Sequence, residues 1–164
     1  MKILRWIMVI MLGFVIQCAL LPIITINGVK PDLLMIMTLA TGLLLGKEKG
    51  VAVGFFTGLT ADLASGGLFG CHVLAKMLIG YGAGMLERQV FKEHFLLPLM
   101  AVIVATFVHN IFYIFMVLLL GFSFELVPFI VYNFLPLLAY NVLAAIPVHL
   151  LIYKLNLEEL QRAD

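Results

Sequence analysis

The sequence predicts an all-α membrane protein in which six transmembrane helices form one bundle. Three observations carry that prediction. Hydrophobic residues make up 64% of the 164 and charged residues only 12%, against the roughly one quarter charged in soluble domains. Mean hydropathy is +1.17. The apolar runs also recur at lengths a bilayer asks for: a hydrocarbon core about 30 Å thick needs about 20 apolar residues per helix, with a range near 17–25. Such a surface must face something other than water.

Helix 1 is predicted over residues 4–26. Lys2 and Arg5 precede an apolar run that exceeds the roughly 7–15 residues of a signal-peptide core and has no small-x-small cleavage site. Cys18 follows Gln17, which argues against lipoprotein processing. Asn27-Gly28 marks a turn, and Pro31 suits the first position of helix 2, predicted over 31–46. Asp32 beside it sits at the positive end of the helix dipole. Lys47-Glu48-Lys49 joins it to helix 3, predicted over 50–64. Helices 2 and 3 are short, so a shallow hairpin is the alternative to two full spans. Ser65-Gly66-Gly67 separates helix 3 from helix 4, predicted over 68–86, with helix 5 over 95–120 and helix 6 over 128–153. Pro98 and Pro128 fall in first turns, while Pro136 and Pro147 are expected to kink helix 6. Residues 155–164 form a short polar tail.

Six spans place the N-terminus, the 47–49 turn, the 87–94 loop and the tail on one side. That side holds Lys2, Arg5, Lys47, Lys49, Arg88, Lys92, Lys154 and Arg162, eight of the ten basic residues. Basic residues gather on the cytoplasmic side, so both termini are expected there, in a single domain spanning residues 1–164. The other loops carry only Lys30, and Lys76 falls within helix 4. A net charge of +1 points to no nucleic-acid partner.

Glycines step by four through Gly42, Gly46, Gly50, Gly54 and Gly58, and the series continues to Asp62 and Gly66. Helix 4 repeats the step through His72, Lys76, Gly80, Gly84 and Arg88. Small residues four apart let helix backbones approach closely in lipid, with a right-handed crossing near −40°. Gly54, Gly58, Gly80 and Gly84 are therefore the candidate packing contacts between helices 3 and 4. Each stripe ends in ionisable groups. Asp62 is expected ~5 Å, His72 ~6 Å and Lys76 ~12 Å below the outer boundary at 1.5 Å per residue. Lys76 could reach toward Asp62 and His72 on its long stem. An intramembrane lysine is a functional candidate, and a structural cluster that fixes helix register is the competing reading.

His109, Asn110, Asn133, Tyr140, Asn141 and His149 form a second polar set on helices 5 and 6. His109 and Asn141 both fall near mid-span, where an interhelical hydrogen bond would contribute about 0.6–2 kcal/mol. The aromatic residues of 107–115 read as a lipid- or partner-facing surface. Cys18 and Cys71 form no paired motif and read as small buried apolar residues. There is no phosphate-binding glycine loop, HExxH or Gly-x-Ser-x-Gly element. No enzyme activity, catalytic residue, metal or cofactor is expected.

Residues 31–84 resemble the rod shape-determining protein MreD family. The matching elements are Pro31-Asp32-Leu33-Leu34, Gly54-x3-Gly58-x3-Asp62, Ser65-Gly66-x3-Gly70 and Gly80-Tyr81, in that order and spacing. The resemblance implies a multi-pass protein of the bacterial cytoplasmic membrane. It implies a scaffold of the cell-elongation machinery that binds MreC and supports the RodA glycosyltransferase and its partner transpeptidase, with MreB engaged indirectly. It also implies a fold similar to the substrate-binding subunits of energy-coupling-factor vitamin transporters. Such a subunit is the alternative function, and helix 1 lacks the Ala-x3-Ala stripe typical of one.

Overall fold

A computed structural model of the chain describes residues 2–20, 25, 28–66, 69–86, 96–123 and 125–155. Gly67, the 87–94 loop with Arg88 and Lys92, residues 156–164 with Arg162, Asn27 and the side chains of Lys2 and Arg5 lie outside what it describes. Six helical rods account for the secondary structure of the described residues. They are α1 (Lys2–Val15, extended by a π turn, Ile16–Leu20), α2 (Leu33–Leu45), α3 (Lys47–Ser65), α4 (Cys71–Met85), α5 (Leu96–Leu119) and α6 (Leu126–Leu155). At 1.5 Å per residue, α2, α3 and α4 are ~20, ~28 and ~22 Å long, while α5 and α6 reach ~36 and ~45 Å. Of the described helices, α5 and α6 are long and apolar enough to cross a membrane.

The α2–α3 connection corrects the expected turn. Gly46 alone joins the two helices, at φ 87° and ψ 173°, a backbone region essentially restricted to glycine. Its N–H donates to the Gly42 carbonyl and its carbonyl accepts from the Gly50 N–H, so one residue ends one helix and starts the next. Lys47, Glu48 and Lys49 are the exposed first turn of α3, because a break confined to Gly46 leaves them no reason to unwind.

α2 is the centre of the bundle. Every residue from Leu34 to Leu44 is buried, and α2 touches all five other helices. Met35, Ile36, Leu39 and Leu43 pack against Ile79 and Ala83 of α4, Val102 and Ala105 of α5, and Ala145 of α6. Leu34, Met37, Ala40 and Leu44 face Ile10 of α1, Val53 of α3 and Ile152 of α6. Apolar on all sides, α2 has no amphipathic stripe to expose, as a helix sealed within a bundle requires.

The outer surface reverses the rule for a water-soluble domain. Met100, Val104, Phe107, Ile111, Phe115 and Leu118 form an exposed apolar stripe along α5, while Thr38, Thr41, Thr57, Lys76, Thr106 and Asn141 are fully buried. In α6, Leu135 N–H reaches back five residues to the Ile130 carbonyl, forming a π turn over Ile130–Phe134. Pro136 explains it: with no N–H there, the Tyr132 carbonyl loses its normal partner and the helix widens. Beyond it the helix runs on through Pro147. Cys71 is buried, but Cys18 is exposed, contrary to expectation, because it projects from the π turn that extends α1.

Candidate functional site: a polar layer across the bundle

The glycine stripes bring α3 and α4 into backbone contact. A Cβ placed on Gly54 would lie 2.6 Å from the Lys76 carbonyl oxygen, and one on Gly50 2.5 Å from that of Gly80. On Gly58 it would overlap Val73 Cα, on Gly80 the Gly50 carbonyl, and on Gly84 the Lys47 backbone. No side chain separates the two helices along this line, so they hold one register. Gly42 of α2 closes on the same point, 2.6 Å from the Gly80 carbonyl by the same measure.

That register sets the ionisable groups at one end of the α3–α4 pair. Asp62, in the last turn of α3, turns its carboxylate onto the start of α4. Its Oδ2 accepts from Gly70 N–H (2.9 Å) and Val73 N–H (3.1 Å), and its Oδ1 from His72 N–H (3.0 Å). A carboxylate here satisfies donors that a helix start leaves open and complements the positive dipole end. The expected reach of Lys76 toward Asp62 is not observed, because both carboxylate oxygens are taken by backbone.

Lys76 instead pairs with Asp32. Its Nζ lies 2.5 Å from Asp32 Oδ2, with the lysine side chain fully buried and the aspartate side chain 15% exposed. Asp32 is the N-cap of α2: its Oδ1 accepts from Met35 N–H at 2.9 Å. Its own N–H donates to Asn141 Oδ1 at 2.9 Å, and Asn141 Nδ2 donates to Thr106 Oγ1 at 3.1 Å. One chain of polar contacts therefore ties α4, α2, α6 and α5 together. The next helix over joins through Gln17, whose Oε1 accepts from Leu34 N–H at 3.1 Å.

His109 and Asn141 do not bond to each other. His109 Nε2 lies 3.3 Å from His72 Nδ1, with the two rings stacked 19° from parallel at 5.4 Å. Asn141 is engaged instead by Asp32 at the start of α2 and by Thr106 of α5. Asn110 donates to the Thr106 carbonyl, Asn133 is exposed, and His149 is buried with Nδ1 unpartnered. Sequence reasoning assigned Asp32 only a place at a helix start. It missed Gln17, Thr106 and the Thr38–Thr57 hydroxyl contact at 2.7 Å. The signal for Asp32 was present: a second acidic residue, directly after Pro31 at a helix start, able to compete with Asp62 for Lys76.

The layer also fixes how far the helices extend. Asp32 at the start of α2 meets Asn141, and His72 at the start of α4 meets His109. The ten residues of α5 beyond His109 thus project ~15 Å past the ends of α2 and α4, accompanied by the first half of α6. None of residues 111–119 is buried, and of 126–140 only Phe134 is, edge-on to Phe107 at 4.7 Å.

A buried ion pair, a capping carboxylate and an apolar exterior describe a polar interior built for lipid. The sequence profile described as rod shape-determining protein MreD matches residues 1–157. The chain belongs to the MreD family. Its role is therefore in determining rod shape, within a membrane-associated family. No curated protein and no solved structure matches the chain, so the likeness to energy-coupling-factor subunits has no structural counterpart behind it.

Proposed function

We propose that the chain is a non-enzymatic, multi-pass scaffold of the bacterial cytoplasmic membrane. It binds MreC and supports lateral peptidoglycan synthesis by RodA and its partner transpeptidase, with MreB engaged indirectly. One observation carries the non-catalytic part: the charged groups of the polar layer are consumed in joining helices. Both oxygens of Asp32 and of Asp62 are engaged, and Lys76 is sealed against Asp32. Groups so committed fix helix register rather than serve as an acid or base toward a substrate. Family membership favours this reading over a vitamin-transporter subunit.

The same reading makes the chain one transmembrane domain of six spans with both termini in the cytoplasm. The exposed Lys47 and Lys49 start α3 at the end where α2 finishes. Lys154 reaches that end too, since Ile152 packs with Leu44. In this orientation the polar layer lies toward the periplasmic leaflet. The test is expression of the tagged chain in a strain depleted of its own family member. Rod shape should return, and MreC should co-purify from membranes. Rounded cells, or a chain that instead co-purifies with an ATPase-coupled partner and a bound small molecule, would overturn the scaffold.

A further inference from the structure

α4 is held unevenly by its neighbours. Against α3 and α2 it closes to backbone contact along the glycine stripes, whereas its packing on α5 is slighter. A groove of about 470 Å³ runs down the α4–α5 seam, lined by Leu78, Ile79 and Gly82 of α4 and by Ala101, Val104 and Val108 of α5. A Cβ on Gly82 would meet nothing within 4 Å, so this seam has room that the α3–α4 contact lacks. Where the seam reaches the polar layer stand His72 and His109, with Nδ1 and Nε2 3.3 Å apart. Among the described residues theirs is the one side-chain hydrogen bond that joins α4 to α5.

That bond needs one ring to donate an N–H and the other to accept through a bare nitrogen. The charged groups facing the pair are Asp32 of α2, Asp62 of α3 and Lys76 of α4. α6 brings Asn141 and Tyr140 to this level, neither of them charged. Neither carboxylate is free to take a new cation: Asp32 holds Lys76 and the Met35 N–H, and Asp62 holds three N–H groups of the α4 start. A first added proton lands on a ring nitrogen outside the bond and sets an imidazolium facing Lys76. A second takes the accepting nitrogen, removes the bond and leaves two cations face to face. Both steps favour separation, and the roomy seam lets α5 yield while the glycine contacts keep α4 on α3.

We propose that the His72–His109 pair is a proton-operated clasp on the α4–α5 seam, closed while both rings are neutral and opened when they take up protons. α5 keeps its tie to α6 through Thr106 and Asn141, so the opening is confined to the side that faces α4. In the orientation proposed above the clasp answers to acidity on the periplasmic side, but its chemistry is the same in either orientation and with any partner. Once apart, each ring titrates near the ordinary imidazole value of about 6.5. The open state therefore binds more protons, and opening rises as pH falls through that value. From pH 7.5 to pH 5 the open-to-closed ratio should grow about 30-fold for each proton taken up.

The test is a spin-label distance measurement across the seam in the full-length protein held in lipid nanodiscs. Labels go on single cysteines at Leu78 and Val104, both exposed, in a background without Cys18 and Cys71. With the histidines intact, a longer distance should gain population between pH 7.5 and pH 5. His72→Asn with His109→Asn can keep a neutral hydrogen bond and should show no such gain. His109→Gln, a milder change that leaves one imidazole, should show a smaller one. His149→Gln removes the other buried histidine and should respond in full. A distance that ignores pH with the histidines intact, a full response in the double variant or in His109→Gln, or a response abolished by His149→Gln would overturn the clasp.

Discussion

Removing one member of the Asp32–Lys76 pair should damage the protein more than removing both. Lys76 has no solvent access and the Asp32 side chain is 15% exposed. Asp32→Asn leaves a fully buried ammonium facing an amide. Asparagine still caps α2, so the loss is almost wholly electrostatic and falls near the upper part of the 3–5 kcal/mol range for a broken buried pair, about 4 kcal/mol. Lys76→Met leaves a carboxylate that keeps the Met35 N–H and some water, which places it near the lower bound, about 3 kcal/mol. The double variant leaves no buried charge and should fall within about 2 kcal/mol of wild-type, because apolar replacement of buried pairs is often near neutral. The two single effects therefore sum to about 7 kcal/mol and overshoot the double by several. The assay is SDS-driven unfolding of the purified protein followed by helicity, with membrane abundance as a second readout. The matching cycle between Asp62→Asn and Lys76→Met should be additive. Additivity at Asp32–Lys76 with strong coupling at Asp62–Lys76 would refute the pairing.

Gly58→Ala should lower stability by about 1–3 kcal/mol, since its methyl group would overlap the Val73 backbone, whereas Gly82→Ala, with open space around its Cβ position, should be silent in the same unfolding assay. Asp62→Asn alone should cost about 1–3 kcal/mol and increase amide exchange at residues 70–73, because one of its two acceptor oxygens becomes a donor facing N–H groups. In a cysteine-free background, single cysteines at position 48 should label from the cytoplasm and at positions 28 and 123 from the periplasm. Labelling of 48 and 123 from the same side would overturn the six-span orientation.

Hydropathy and glycine spacing made most of the architecture legible before any coordinates. Each expected helix has its counterpart, and Gly54, Gly58, Gly80 and Gly84 all lie at the α3–α4 contact. What the sequence concealed was lateral. Spacing along one helix hairpin suggests which residues share a level, so Asp62 looked like the neighbour of Lys76. It carries no information on which third helix fills the remaining side. The start of α2 does, and brings Asp32. Thr106 and Gln17 were illegible for the same reason: each acts through a partner on another helix, remote in sequence. The Gly46 joint escaped notice because three charged residues resemble a loop, although nothing in their chemistry prevents a helical first turn.

The unequal helix lengths have a consequence for the surrounding bilayer. On one flank the protein offers the short α3 and α4, and on the other the taller α5–α6 hairpin. In the six-span arrangement proposed above, lipid beside the short flank would thin, while lipid beside the tall one would thicken or the hairpin would tilt, each at a fraction of a kcal/mol per Å of mismatch. A body that deforms its solvent differently on opposite sides has a built-in heading. Neighbours whose own hydrophobic height matches one flank are drawn to that flank before any side chain meets another, so the bilayer itself helps determine which face an assembling partner finds first.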